Sequence, residues 1–253
     1  MKVTLLQRDI YWCDPERNRR EIERMVAKAS ETDLMVMPEM FQTGFCMTPA
    51  DIAEKSEHSA TLSWMKHIAM MRQCALAGSI AVEEGGKYYN RFYFVFPDGT
   101  VRHYDKRHLF TYGGEQQVYV PGEGRVVVSY KEVRILLQVC YDLRFPVWAR
   151  NRGDYDLILY VANWPASRIF VWDTLLRARA IENQCYVVGV NRIGTDLSSI
   201  YCGHSVAIDA YGRDLICMGE EEACCSFSID LAVLRAFRKK FPVLEDRDRF
   251  ELY

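Results

Sequence analysis

The stretch MKVTLLQRDIYWCDPERNRREIERMVAKASETDLMVMPE (residues 1–39) decides the fold class. Its opening, MKVTLLQRDI, has an apolar run too short for the core of a secretion signal and leads straight into a polar segment, which predicts a first strand. Asp14-Pro15 then starts a helix, because Asp is a good N-cap and Pro suits the first helical turn. Ile22, Met25, Val26 and Ala29 follow at helical spacing, so one face of that helix is apolar. Leu34 to Met37 is a second short apolar run, stopped by Pro38, and predicts a buried strand whose end presents Glu39. Strand, helix, strand is the opening unit of a layered α/β protein.

The same alternation continues outward. Tyr88 to Phe96 alternates with aromatics, Pro97-Asp98-Gly99 supplies turn chemistry and Val101 to Tyr104 resumes as a strand, which together predict a hairpin. Val133 to Val139 is a strand-like run ending at Cys140, and Leu157 to Ala162 ends at Asn163-Trp164-Pro165. Phe170 to Asn183 carries helical spacing, Cys185 to Val190 reads as a buried strand, and His204 to Asp209 with Asp214 to Met218 flanks a turn at Tyr211-Gly212. The acidic run Glu220 to Glu222 reads as a solvated loop. No repeat of residue identities and no Pro/Gly-rich linker divides the chain, so one domain over residues 1–253 is expected. The tail from Phe237 to Tyr253 has too little apolar surface to stand alone and is expected to pack on its own or a partner subunit.

Composition narrows the function classes. The chain has 253 residues, 49% hydrophobic and 26% charged, near the averages of globular proteins. A net charge of -2 leaves no basic footprint for a phosphate backbone, which argues against nucleic acid and for a small-molecule partner. No apolar run approaches the roughly 20 residues of a membrane-spanning helix. The 9 cysteines are scattered and odd in number, a pattern expected of free thiols in a reducing cytoplasm. Neither they nor the 5 histidines show paired metal-ligand spacing, so no metal site is expected.

Three segments place a reactive side chain just past a strand: MPEMFQTGF (37–45) around Glu39, YDKRHLF (104–110) around Lys106 and LLQVCYDLRFP (136–146) around Cys140. Taken singly, Glu39 reads as a cap or ion-pair carboxylate, Lys106 as a surface charge and Cys140 as a buried structural thiol. Together they supply what thiol-mediated amide cleavage needs. A base takes the thiol proton, a positive charge favours the thiolate, and preorganised donors meet the oxygen that becomes negative in the tetrahedral state. Glu39, Lys106, and Lys106 with the backbone N–H of Tyr141 are the candidates for these tasks. His103 and His108 flank the lysine, but neither lies in a papain-type segment.

The ordered set resembles the nitrilase superfamily of carbon-nitrogen hydrolases, with its Glu-Lys-Cys triad, and the likeness spans nearly the whole chain. RARAIEN (177–183) and Gly203-His204-Ser205 resemble its downstream landmarks. The resemblance implies a four-layer α-β-β-α sandwich, no metal or organic cofactor, and assembly as a homodimer or larger homo-oligomer. It also implies a second glutamate that positions the lysine, best matched by Glu115 in FTYGGEQQVYVPG (110–122), where Gly113-Gly114 permits close backbone approach.

Within the superfamily, PEMFQTGF, KRHLF followed by GGE, CYDLRFPVW and ANWPASR (162–168) are most similar to the omega-amidase branch. That implies hydrolysis of the carboxamide of a 2-oxo acid amide such as 2-oxoglutaramate, through a Cys140 thioester. Hydrolysis of an N-carbamoyl or other linear amide is the alternative within the superfamily, and a catalytically inactive interaction module is the alternative outside enzymes. A short dicarboxylate-like substrate needs a cation for its far carboxylate, and a guanidinium gives the bidentate grip that lysine lacks. Arg168 is the first candidate, with Trp164 beside it. Arg144 is the rival and is read as a structural ion pair with an acidic neighbour. Phe41, Trp164 and Tyr112 are candidates for apolar walls.

Overall fold

A computed structural model describes residues 1–252. Each half of the chain builds a sheet around three parallel strands. In the first half, β1 (Lys2–Gln7), α1 (Pro15–Lys28), β2 (Leu34–Val36), α2 (Pro49–Ile52), β3 (Glu54–Lys55), α3 (Ala60–Arg72) and β4 (Ala75–Glu84) are followed by the meander β5 (Lys87–Val95) and β6 (Val101–Asp105). In the second, β7 (Val127–Tyr130), β8 (Val133–Val139), α4 (Pro146–Ala149), β9 (Leu157–Ala162), α5 (Ile169–Asn183) and β10 (Tyr186–Asn191) lead to the ribbon β11 (Ile193–Thr195) and β12 (Ile200–Cys202). Strands β13 (Val206–Ile208) and β14 (Asp214–Cys217) complete that sheet, β15 (Ala223–Ser228) returns to the first, and α6 (Leu231–Lys240) closes the chain's regular structure.

The sheet orders are β15-β1-β2-β4-β5-β6, with β3 off β4, and β14-β13-β10-β9-β8-β7. β1, β2 and β4 run parallel with antiparallel β15 and β5 outside them. β8, β9 and β10 run parallel with antiparallel β7 and β13 outside them. The architecture thus repeats although the residue identities do not.

Side-chain alternation sorts each strand's residues between two cores. Val3, Leu5, Val36 and Phe94 of the first sheet meet Ile135, Leu137, Leu159 and Val188 of the second in a core between the sheets. On the outer faces, Leu6, Met35, Leu76 and Ile80 pack under Ile22, Val26, Met65 and Ala69 of α1 and α3, while Ile158, Tyr160 and Val187 pack under Trp172, Leu176 and Ala180 of α5. Helix, sheet, sheet, helix are four layers, as the resemblance to the nitrilase superfamily implied. The first helix begins where predicted, the Asp14 carboxylate accepting from Arg17 N at 3.0 Å. Such a cap is worth about 1 kcal/mol. Burial of Ile22 and Val26 adds roughly 1.5–3 kcal/mol each.

Candidate active site

Three of the candidate side chains leave the carboxyl ends of strands, where open α/β sheets place their ligands. Glu39 lies three residues beyond β2. Its turn is pinned to β4, with Met37 N donating to Ala77 O at 2.8 Å and Met40 N to Ser79 Oγ at 3.0 Å. Lys106 follows β6 directly, its N–H bonded to Asn90 O at 3.0 Å. Cys140 follows β8 and adopts φ +44°, a left-handed conformation that a non-glycine residue holds only under constraint from its surroundings.

The structure brings Glu39, Lys106 and Glu115 into one buried cluster. Lys106 Nζ donates to Glu39 Oε1 at 2.9 Å and to Glu115 Oε1 at 3.1 Å, with Glu115 Oε2 2.9 Å away in the ion pair. Asn90 Nδ2 bridges the same two carboxylates, at 2.8 Å from Glu39 Oε1 and 3.2 Å from Glu115 Oε1. The other Glu39 oxygen accepts from Asn163 N at 2.8 Å, and Asn163 Nδ2 donates to Glu39 O at 2.6 Å. Glu115 reaches inward from a tight double turn. Gly114 has φ +78°, a Cβ on Gly113 would lie 2.6 Å from the Phe110 ring, and Phe110 N donates to Glu115 Oε2 at 2.6 Å. The Gly-Gly pair is therefore what lets this carboxylate enter the core.

The electrostatics follow from burial. Burial alone would lower the Lys106 ammonium, but Glu115 and Glu39 outweigh it and hold the group above the ordinary lysine range. Burial pushes Glu115 upward, with Lys106 working against it. The Cys140 thiol is pushed well above its usual value by burial first and then by Glu39, while Lys106 pulls the other way. The lysine charge acts in the direction expected of it, toward the thiolate, but burial and the carboxylates outweigh it. Two carboxylates share one ammonium beside the sulfur, so the net field there works against ionisation of the thiol.

A cavity of about 150 Å³ opens over the cluster. Glu39, Lys106 and Cys140 line it together with Tyr141, Arg144, Asn163, Trp164 and Arg168, while Glu115 lies behind Lys106. Its walls correct part of the sequence reading. Phe41 is fully buried in the outer core against Trp64, and Tyr112 is 87% exposed. Phe45 and Phe110 line the cavity instead. Arg144 has no carboxylate partner among the described residues: its guanidinium lies 5.3 Å from the Trp164 ring centre and faces the cavity, so the structural ion pair expected of it does not form. Arg168 lies 5.3 Å from the Phe110 ring centre. The ribbon turn between β11 and β12 contributes Ser198 and Ser199, and β12 contributes Tyr201.

Asn90 and Asn163 were not singled out in the sequence. Asn163 carried a signal, a polar residue at the end of an all-apolar strand. Asn90 carried only a weak one, a single amide among the aromatics of KYYNRFYFV.

The arrangement is a buried carboxylate, an ammonium and a thiol around one small cavity. A model of the carbon-nitrogen hydrolase family matches residues 2–239. The chain belongs to the carbon-nitrogen hydrolase family. Among relatives of this hydrolase, the omega-amidase YafV of Yersinia enterocolitica is 45% identical over 255 residues, spanning 100% of this chain and 98% of its own. The 2-oxoglutaramate amidase of Bacillus subtilis (strain 168) is 32% identical over 249 residues, 96% of each chain. A solved CN-hydrolase superfamily protein from Xanthomonas campestris, with an arsenic adduct in its active site, matches with a TM-score of 0.97 at 40% identity, covering 100% of this chain and 99% of that one. The hydrolase thus has the nitrilase-superfamily fold and is an enzyme acting on amides.

Proposed function

We propose that this hydrolase is an omega-amidase, releasing ammonia from the carboxamide of a small 2-oxo acid amide such as 2-oxoglutaramate through a thioester on Cys140. The observation that carries the reading is the pairing, in one cavity of about 150 Å³, of the Glu39, Lys106 and Cys140 cluster with two guanidinium groups, Arg144 and Arg168, that have no carboxylate partners among the described residues. A substrate with an amide at one end and a carboxylate at the other matches both halves of such a cavity. The names of the Yersinia and Bacillus relatives support the same choice.

In this reading Glu39 accepts the Cys140 proton as sulfur attacks the amide carbon, so no standing thiolate is needed. Lys106 has three N–H donors, and its bonds to Glu39 and Glu115 leave one for the developing oxyanion, beside the N–H of Tyr141. Collapse of the tetrahedral state breaks the C–N bond, and Glu39 returns the proton to the departing ammonia. Water then enters, Glu39 takes its proton, and a second tetrahedral state releases the acid and the thiol. Glu115 and Asn90 hold Lys106 and Glu39 in register throughout. Arg144 and Arg168 grip the far carboxylate and Trp164 packs beside it.

The test compares ammonia release from 2-oxoglutaramate, an N-carbamoyl amino acid, a carbamoyl amine and a simple nitrile. Rapid turnover of 2-oxoglutaramate alone supports the reading. Preference for the N-carbamoyl compound moves the enzyme to the alternative within the superfamily, and inertness on every substrate favours the interaction module.

A further inference from the structure

Asp142, two residues after the nucleophile, is fully buried and accepts four hydrogen bonds. Oδ1 accepts from His108 N at 3.0 Å and His108 Nδ1 at 2.8 Å; Oδ2 accepts from the Tyr104 hydroxyl at 2.8 Å and Val139 N at 2.9 Å. Three of these donors belong to the segment that carries Lys106, on either side of the lysine. The fourth belongs to the residue immediately before Cys140. The same carboxylate therefore ties the lysine loop to the nucleophile turn at its most constrained point, where Cys140 holds φ +44°.

The surroundings reinforce the tie. The Tyr104 hydroxyl also accepts from Arg107 N at 3.0 Å and Trp148 Nε1 at 3.2 Å, so the residue after the lysine and helix α4 close on one oxygen. The His108 ring stacks flat on Phe145, with centres 3.8 Å apart and 4° between planes, which fixes the direction of its Nδ1–H. Phe145 ends the same short turn that begins at Cys140. A buried carboxylate with four donors is a rigid joint, because turning it strands several groups at once.

We propose that Asp142 is a positioning residue that sets the distance between the Lys106 ammonium and the Cys140 sulfur, with His108 and Tyr104 as its arms; this deepens the triad reading above and rests on it. The oxyanion must meet Lys106 while its carbon meets sulfur, and a displacement of about 1 Å in such a pair can cost on the order of 100-fold in rate. The effect falls on the chemical step rather than on substrate affinity, since none of Asp142, His108 and Tyr104 lines the cavity.

The experiment is a double-mutant cycle on ammonia release. His108→Ala and Tyr104→Phe each lower kcat by about 10-fold and Asp142→Asn by about 100-fold, with KM changed less than about two-fold. His108→Asn, whose amide N–H can stand where Nδ1–H stood, restores most of the rate. In the Asp142→Asn background, His108→Ala causes little further loss. Multiplying losses, a folded Asp142→Asn enzyme with normal kcat, or a KM effect without a kcat effect would overturn the proposal. If Asp142→Asn fails to fold, the His108→Ala, His108→Asn and Tyr104→Phe series decides alone. If wild type is inert on all amides, the functional reading has failed, and alkylation of Cys140 by iodoacetamide then tests the register: slowing in His108→Ala with recovery in His108→Asn supports it, and equal rates reject it.

Discussion

Burial and Glu39 push the Cys140 thiol above its ordinary range, and its pH behaviour should show it. Because burial and Glu39 raise its pKa, the thiolate fraction at neutral pH lies below that of a free cysteine and grows as pH rises toward the raised value. Alkylation of Cys140 by iodoacetamide should therefore keep accelerating above pH 9, by up to about tenfold per pH unit. A plateau reached below pH 7 would instead reveal an ion pair with Lys106. For turnover, Glu39→Gln removes the proton acceptor and should lower kcat by about 10²–10⁴-fold. Lys106→Ala should do more than abolish catalysis. It leaves Glu39 and Glu115 facing each other without their shared cation, a change that costs about 3–5 kcal/mol in chemical denaturation. The sequence carried Glu39 and Cys140 because each stands at the end of an apolar run, and Lys106, which follows the polar strand VRHYD, because its segment resembles the family's lysine segment. It did not carry Asn90, whose role depends on the antiparallel register that pairs it with Ala81 of β4. Nor did it carry the state of the thiol, which depends on how many carboxylates surround it.

At the level of elements, two loops decide what the cavity accepts. The turn that carries Glu115 depends on Gly113 and Gly114. Gly114→Ala forces a left-handed alanine, at about 1–2 kcal/mol, and should shift Glu115 away from Lys106. kcat and Tm should fall together; an unchanged kcat would separate Glu115 from catalysis. The loop after β9 carries Arg168, and the turn after β8 carries Arg144. Arg168→Ala or Arg144→Ala should reduce kcat/KM on carboxylate-bearing amides by about 1.5–3 kcal/mol, the worth of a charged hydrogen bond, and leave neutral amides nearly unaffected. An equal loss on both substrate classes would move carboxylate recognition elsewhere. Two elements of the first half carry no clear period in their residues. β4 is ALAGSIAVEE, buried on both faces from Ala75 to Val82 without alternation, and α3 has apolar residues on several faces. The hairpin β5–β6 was legible because aromatics, Pro97-Asp98-Gly99 and a resumed strand all agreed.

At the scale of the whole molecule, the two sheets and their helices form the four layers that the resemblance to the nitrilase superfamily implied, while the three parallel strands shared by the two halves left no trace in residue identities. Among the described residues no helix is long and apolar enough to cross a membrane. The tail lies partly on its own sandwich, with Leu244 buried and Gln184 Nε2 donating to Phe241 O at 2.7 Å. Phe241 remains 60% exposed, and Phe250 and Leu252 are also exposed. We propose that a second copy covers them, so sedimentation should give a homodimer, and removal of residues 241–253 should shift it toward monomer; a monomeric full-length enzyme would contradict this. Buried thiols also set an alkaline limit. Burial raises Cys74 to about 11 and lifts Cys185 further. In the unfolded chain these thiols ionise near pH 8.5, so above that pH the folded state binds more protons and stability falls as pH rises toward the raised values. Cys185→Ala should lower Tm at every pH through its cavity yet flatten the decline between pH 8 and 10. An unchanged slope would show that other groups cause it.

The most direct test of the central claim is the intact mass of the enzyme, acid-quenched during turnover of 2-oxoglutaramate. The account predicts an adduct equal to the substrate acyl group, mapped to the Cys140 peptide, present in wild type and absent in Cys140→Ala, whose ammonia release falls by about 10⁴-fold or more. Substantial ammonia release by Cys140→Ala would contradict it.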